Sequence, residues 1–475
     1  MLPRHEADNR RTTGVFLAQP QSDVWQRIGD WLFRHQKQIG WVQWSVVGVY
    51  LMLLVLPAVL PLPDNSAHLW DDFTRFAQFV FWGVWWPFVL LATALVGRVW
   101  CGLLCPEGAI SEFSSRHGRG GAIPRWIKWG GWPTVAFAST TLYGQMVSVY
   151  QYPKPALLVL GGSTIAAAAI GYLYGKEKRV WCRYLCPVGA VFGLLAKLAP
   201  LHFRVDADRW RRSQLAGLQP GAVNCAPLVP LKTMRSASDC HMCGRCSGFR
   251  GAIRLARRSP AHEIVHVAGD QPKLWETVLI VFGLMGVAVG AFHWSSSPWF
   301  NGAKQSAAEW LVERGVLWPL EISAPWWVLT NYPERSDVLT LLDGAVLIFY
   351  VLAVAFAVGI VVLLLLALAT LGLGRWHAAR LHHLAQTLIP LAAAGVFLGL
   401  SAMSVTQLRM DGIDVPWVGE MRAAMLLLAS VWSGTLCWRV TGLYSATTIR
   451  RLLALLSFGL VLAIADAGWF LFFWS

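Results

Sequence analysis

99-VWCGLLCPEGAI-110 returns 81 residues later as 180-VWCRYLCPVGAV-191, aligned without a gap. Chance recurrence of V-W-C-x2-L-C-P-x-G-A is negligible, so the stretch marks an internal duplication. Each copy follows a pair of apolar runs and begins at their end. Cys101 and Cys105 in the first copy, and Cys182 and Cys186 in the second, stand at i and i+4, which is one face of a helix. Pro106 and Pro187 follow the second cysteine, where a missing N–H favours a turn or a new helix start. Two such turns related by a pseudo-twofold would present four thiolates to one point. Those four suit an iron–sulfur cluster, a Zn2+ or copper ion, or a dithiol–disulfide cycle. The plain alternative is a set of small buried apolar residues.

The chain around the duplication belongs in lipid. Of 475 residues, 56% are hydrophobic and 14% charged, against about 25% charged in an ordinary soluble domain. A span needs about 20 apolar residues. Nine runs qualify: 41–61, 76–97, 130–148, 157–175, 275–293, 341–371, 385–404, 422–440 and 451–472. The expected fold is an all-α polytopic membrane protein of about nine transmembrane helices. Residues 1–39 are polar and basic, with no cleavable signal pattern. Placing the N-terminus in the cytoplasm puts 33 of the 40 Lys and Arg in inside segments, as the positive-inside rule requires. The C-terminus is then periplasmic, and the net charge of +14 follows from topology without calling for nucleic acid. Tryptophans such as Trp85, Trp86, Trp326 and Trp327 read as interfacial belts.

Downstream of the second copy, 239-DCHMCGRC-246 places Cys240, Cys243 and Cys246 at C-x2-C-x2-C spacing. That spacing opens the bacterial [4Fe-4S] run. A zinc ribbon would need a second C-x2-C pair at a distance. The usual continuation C-x3-C-P fails, because Arg250 occupies the fourth cysteine's place. Cys225, fifteen residues before Cys240, is the candidate fourth ligand. The count then closes at four cysteines in the turns and four in the loop, with Cys437 left over as core packing inside a span. The loop itself, 200–273, has little apolar periodicity, so a cluster would supply much of its order. Its Arg235, Arg245, Arg250, Arg254, Arg257 and Arg258 would suit an acidic donor.

On these residues the chain resembles the NapH, NosR, MauN and CcoG-type membrane ferredoxin-like proteins, or polyferredoxins. The resemblance rests on repeated C-x3-C-P after span pairs, followed by ferredoxin-type cysteines, and covers roughly residues 40–260. It implies membrane electron transfer serving a respiratory or periplasmic redox system, or maturation of a metalloenzyme. Two features depart from that pattern. There is one incomplete ferredoxin set instead of two, and no outside domain of the size that carries flavin in NosR-like members.

The organisation expected is a cytoplasmic segment 1–40, duplicated hairpins over 41–199, a small cytoplasmic ferredoxin-like iron–sulfur loop at 200–273, and a four-span region 274–475 with an outside loop 294–340. Cys225, Cys240, Cys243 and Cys246 would hold one [4Fe-4S] cluster, and Cys101, Cys105, Cys182 and Cys186 a second cluster or another metal. The function expected is an electron carrier, or an oxidoreductase subunit, of the bacterial inner membrane. It would pass electrons between a cytoplasmic flavodoxin- or ferredoxin-like donor, or quinol, and a membrane or periplasmic redox partner. Copper reduction or delivery for assembly of a respiratory metalloenzyme is the alternative, since soft thiolates favour Cu(I). His293, His377, His382 and His383 read as surface or connection residues before haem ligands. Asp466 is an intramembrane carboxylate with no visible partner.

Overall fold

The computed structural model describes residues 23–64, 66–217 and 221–474. The reading of residues 1–22 as a basic inside segment lies outside them. Eight described helices are long and apolar enough to cross a membrane: Gln36–Val59, Phe73–Val96, Pro153–Tyr174, Leu274–Ser296, Leu341–Gly372, Ile389–Met410, Val418–Tyr444 and Thr448–Trp474. Helices suit this composition because hydrocarbon offers no partner for an open backbone N–H or C=O. The chain is thus an all-α, multi-pass membrane protein.

Eight of the nine expected runs coincide with these helices. The run at 130–148 forms Trp132–Met146, of 15 residues, about 22 Å long and short of the roughly 30 Å hydrocarbon core. Ser148 ends that run in a left-handed turn at φ 51°. Trp85 and Trp86 also differ from expectation. They sit at the centre of Phe73–Val96 beside the π-turn Phe79–Trp85, with the Trp85 ring 5.8 Å from that of Phe81. An indole is mostly apolar and packs in a core when neighbouring rings accept it.

The chain groups into two compact units. The first comprises Met1–Tyr50, Leu91–Trp129 and Thr164–Glu263. Here a short strand Leu201–Val205 (β1) pairs antiparallel with Ile253–Arg257 (β2), with Phe203 opposite Leu255. Around the ladder Phe203, Trp210, Met234, Met242, Ile253 and Leu255 bury a core that includes Cys246. The loop therefore has an apolar core of its own. Its strands are five residues each and pair across some fifty positions, which is why no local periodicity announced them.

The second unit comprises Leu51–Leu90, Gly130–Ser163 and Ile264–Ser475. Its helices approach through small residues: a Cβ added to Gly286 would lie 2.8 Å from the Ala355 Cα, a spacing typical of membrane helix pairs. Cys437 is fully buried, as its apolar surroundings predict. Asp466 has a partner after all, accepting a 2.7 Å hydrogen bond from Ser430 on the neighbouring helix. His383 is no surface decoration. It is 1% exposed, with Nε2 donating to the Ile264 carbonyl at 2.7 Å and Nδ1 facing the Tyr444 hydroxyl at 2.6 Å.

Candidate metal centre

Both cysteine turns are built on one backbone device. Cys105 N–H donates to the Trp100 carbonyl at 2.8 Å, and Cys186 N–H to the Trp181 carbonyl at 3.0 Å. These i→i−5 bonds close one wide turn around each cysteine pair. Cys105 then extends (ψ 120°), as the residue before a proline must, and Pro106 opens the helix Pro106–Arg116. The positive end of that helix dipole falls at Cys105. In the second copy Val180–Tyr184 and Gly189–Leu195 flank Cys186.

The duplication brings its four thiols together within the first unit. Burial pushes the Cys105 thiol well above its ordinary value, and Cys182 and Cys101 push it further. Burial raises Cys182 to about 12 despite nearby Arg179, and Cys101 adds to the rise. Cys186 is raised by burial, then by Glu107 and by Cys182, Cys105 and Cys101.

The loop cysteines form a second quartet in the same unit. Burial holds Cys240 at about 12, with Cys243 and Cys225 among its neighbours. Burial raises Cys246 well above its usual range, and Cys240, Cys243 and Cys225 act in the same sense. The chain wraps the site through left-handed residues, Met242 at φ 56° and Gly244 at φ 76°. Met242 N–H points at Cys240 Sγ, 3.4 Å away. Gly244 must lack a side chain, because a Cβ there would meet Leu32 Cβ at 2.4 Å. Cys225 reaches the site from a distant loop tied to the second turn: Lys178 Nζ donates to the Cys225 carbonyl at 3.3 Å, and Arg179 N–H to the Ala226 carbonyl at 2.8 Å.

The first turn packs against the cysteine loop. A Cβ on Gly102, between Cys101 and Cys105, would fall 2.0 Å from the His241 carbonyl oxygen and 2.9 Å from the Cys243 nitrogen. The backbone of the first turn therefore lies directly against the loop between Cys240 and Cys243. Gln43 Nε2 donates to the Gly102 carbonyl at 2.9 Å, and Gln36 Nε2 to the Cys243 carbonyl at 2.9 Å. Ser247 is held by Asp30 at 2.8 Å. Beneath them Glu112 accepts from Arg179 Nε at 2.8 Å and pairs with Arg245 at 2.9 Å, while Arg179 Nη1 donates to the Cys101 carbonyl at 2.6 Å.

Several of these residues escaped the sequence reading. Gln36, Gln43 and Asp30 carry no motif. Arg98 and Arg179 had a signal: each stands one position before the aligned repeat, so the shared stretch is R-V-W-C-x2-L-C-P. Of the loop arginines expected to face a donor, Arg245 turns inward to Glu112 and buried Arg258 to Glu263. Arg250 lies over the Trp210 ring at 5.5 Å, while Arg254 and Arg257 are exposed.

The donor sets fit iron–sulfur clusters. Each has four cysteines, and the raised thiols stay protonated until a metal draws the protons off. Among the described residues, no group of three or more His, Cys, Asp or Glu side chains is arranged to hold a single metal ion. Arg98 Nε and Arg179 Nη2 are buried with no hydrogen-bond partner, which suits cations awaiting an anionic group.

The cysteine turns lie within stretches that are similar to a known family. The family model described as a 4Fe-4S binding domain matches residues 78–125 and 158–206. Those segments hold Cys101, Cys105, Cys182 and Cys186. The chain is also 21% identical over 225 residues to the Escherichia coli (strain K12) protein named "Putative electron transport protein YccM". That match covers 42% of this chain and 62% of the relative, less than two thirds of its length. No solved structure matches.

Proposed function

We propose that the chain holds two [4Fe-4S] clusters in contact and serves as an electron relay of the bacterial inner membrane. Cys101, Cys105, Cys182 and Cys186 would hold one, and Cys225, Cys240, Cys243 and Cys246 the other. The observation that carries this is the backbone contact at Gly102, which joins the two quartets without an intervening side chain. When bound, each cluster supplies a site that takes up and returns one electron. The protein's part is to hold them adjacent, bury them from water and neutralise their charge. Burial of Cys101 and Cys246 to 8% and 9% exposure limits access of solvent and oxidants.

The donor would be a cytoplasmic flavodoxin- or ferredoxin-like protein or quinol, and the acceptor a membrane or periplasmic redox partner. The exposed Arg254 and Arg257 and the excess of Lys and Arg in the loop segment support a cytoplasmic placement. Convergence of both cysteine turns also supports nine crossings. The chain between Cys105 and Cys182 must leave and return to one side, so Trp132–Met146 would cross with its flanking residues as Pro153–Tyr174 does. The NapH, NosR, MauN and CcoG-type likeness agrees with this relay, with one loop set in place of two.

Anaerobically purified protein is expected to contain about eight iron and eight acid-labile sulfide per chain. Cys225→Ser is expected to lower that to about four iron, and Cys437→Ser to leave it unchanged. About four iron in the unsubstituted protein would remove the two-cluster relay. Copper in place of iron, lost in Cys101→Ser, would turn the reading to metal delivery.

A further inference from the structure

Arg98 and Arg179 occupy the same place in the duplicated turn, three residues before Cys101 and Cys182. They are 5% and 1% exposed. A guanidinium so deeply buried is strongly unfavourable unless an anion answers it. Arg179 has Glu112 at 2.8 Å. Arg98 has less: its Nη1 donates to the Ser238 carbonyl at 2.7 Å, and Asp239, the nearby carboxylate, is engaged by Arg183 at 2.7 Å. Each arginine also keeps one nitrogen with no hydrogen-bond partner, Nε of Arg98 and Nη2 of Arg179.

Both cations face both quartets. Arg98 lies beside Cys101 and Cys186 of the turns, and acts on Cys240 of the loop. Arg179 lies beside Cys182 and Cys243. Carboxylates near the turns act the other way, Glu107 on Cys186 and Asp239 beside Arg98. Glu112 neutralises part of Arg179, so Arg98 carries the less compensated charge.

We propose that Arg98 and Arg179 are fixed counterions shared by the two clusters, one from each repeat, and that they raise the reduction potential of both. This rests on the two-cluster reading. A cluster with four thiolates is anionic, and each added electron raises that charge next to a second anion. Two buried cations near both sites offset that repulsion, and net charge near a cluster is one of the determinants of its potential.

The test is a spectroscopic redox titration of the iron-loaded protein carrying Arg98→Gln or Arg98→Lys. Glutamine can keep the hydrogen bond to the Ser238 carbonyl without the charge, and lysine keeps the charge. Arg98→Gln is expected to shift the oxidised-to-reduced ratio of both clusters at least tenfold toward oxidised at a given potential, 59 mV for one electron. Arg98→Lys should retain most of the original value. Arg179→Gln is expected to move both clusters in the same direction, so either position carries the test if the other fails to load. Fully loaded Arg98→Gln or Arg179→Gln protein with unmoved potentials, or a shift at one cluster alone, would overturn the proposal. Fewer than about eight iron in the unsubstituted protein would instead overturn the two-cluster reading beneath it.

Discussion

Gly102→Ala is expected to cost the protein at least half of its iron. The added Cβ would stand 2.0 Å from the His241 carbonyl oxygen and 2.9 Å from the Cys243 nitrogen. Both are backbone atoms in a loop pinned by Gln36 and Asp30, so neither can rotate away as a side-chain end would. Overpacking usually costs about 1–3 kcal/mol, and a backbone overlap of this depth belongs at or beyond the upper end. The first turn and the loop must separate, and the ligands on both sides move with them. Iron and sulfide per chain should fall from about eight to about four or fewer. Any magnetic coupling between the remaining clusters should vanish from the electron paramagnetic resonance spectrum. Gly40→Ala, where nothing lies within 4 Å, is the matched control and should load fully. A fully loaded, coupled Gly102→Ala protein would refute the contact.

Glu112→Ala should be the most damaging change that touches no cysteine. Its side chain is 5% exposed and meets Arg179, 1% exposed, and Arg245, 22% exposed. Alanine leaves the Arg179 guanidinium buried with a carbonyl for company. Breaking a buried pair in this way costs about 3–5 kcal/mol, a large part of the roughly 5–15 kcal/mol that keeps a domain folded. Glutamine, which keeps the shape and one acceptor, should lose less. Burial alone would raise the Glu112 carboxyl, but Arg179 and then Arg245 hold it at about 2, against an ordinary 4.5. A depressed carboxylate stabilises fully above its unfolded value and loses that contribution as pH falls toward its folded one. The unsubstituted protein should therefore weaken between about pH 4.5 and 2, and the difference from Glu112→Ala should shrink there. Thermal melts of the two proteins across that range check both statements.

Much of this molecule is legible without coordinates, for a physical reason. Lipid forces helix and demands long apolar runs, so hydropathy locates spans directly. At 130–148 the helix is shorter than the apolar run, Trp132–Met146, because composition does not register the left-handed turn at Ser148. Hydropathy misplaced Trp85 and Trp86 because an indole suits an interface or a packed core equally well. The turn and loop cysteines stand out in the sequence because metal ligation requires specific side chains at tight spacing. Cys225 was reached only by elimination, and its tie to Lys178 and Arg179 is a product of folding.

The amino-acid order alone determined the membrane-spanning helical character, the duplication of the cysteine turn, and which thiols are available. These depend on local composition and on short-range spacing, which a linear chain carries in full. Only the tertiary structure decided that Gly102 lies against His241 and Cys243, that Glu112 gathers Arg179 and Arg245, and that the repeat's arginines are buried near cysteines of both the turns and the loop. Those relations join residues some 70 to 140 positions apart through backbone contact and buried charge, and neither leaves a periodic trace in sequence.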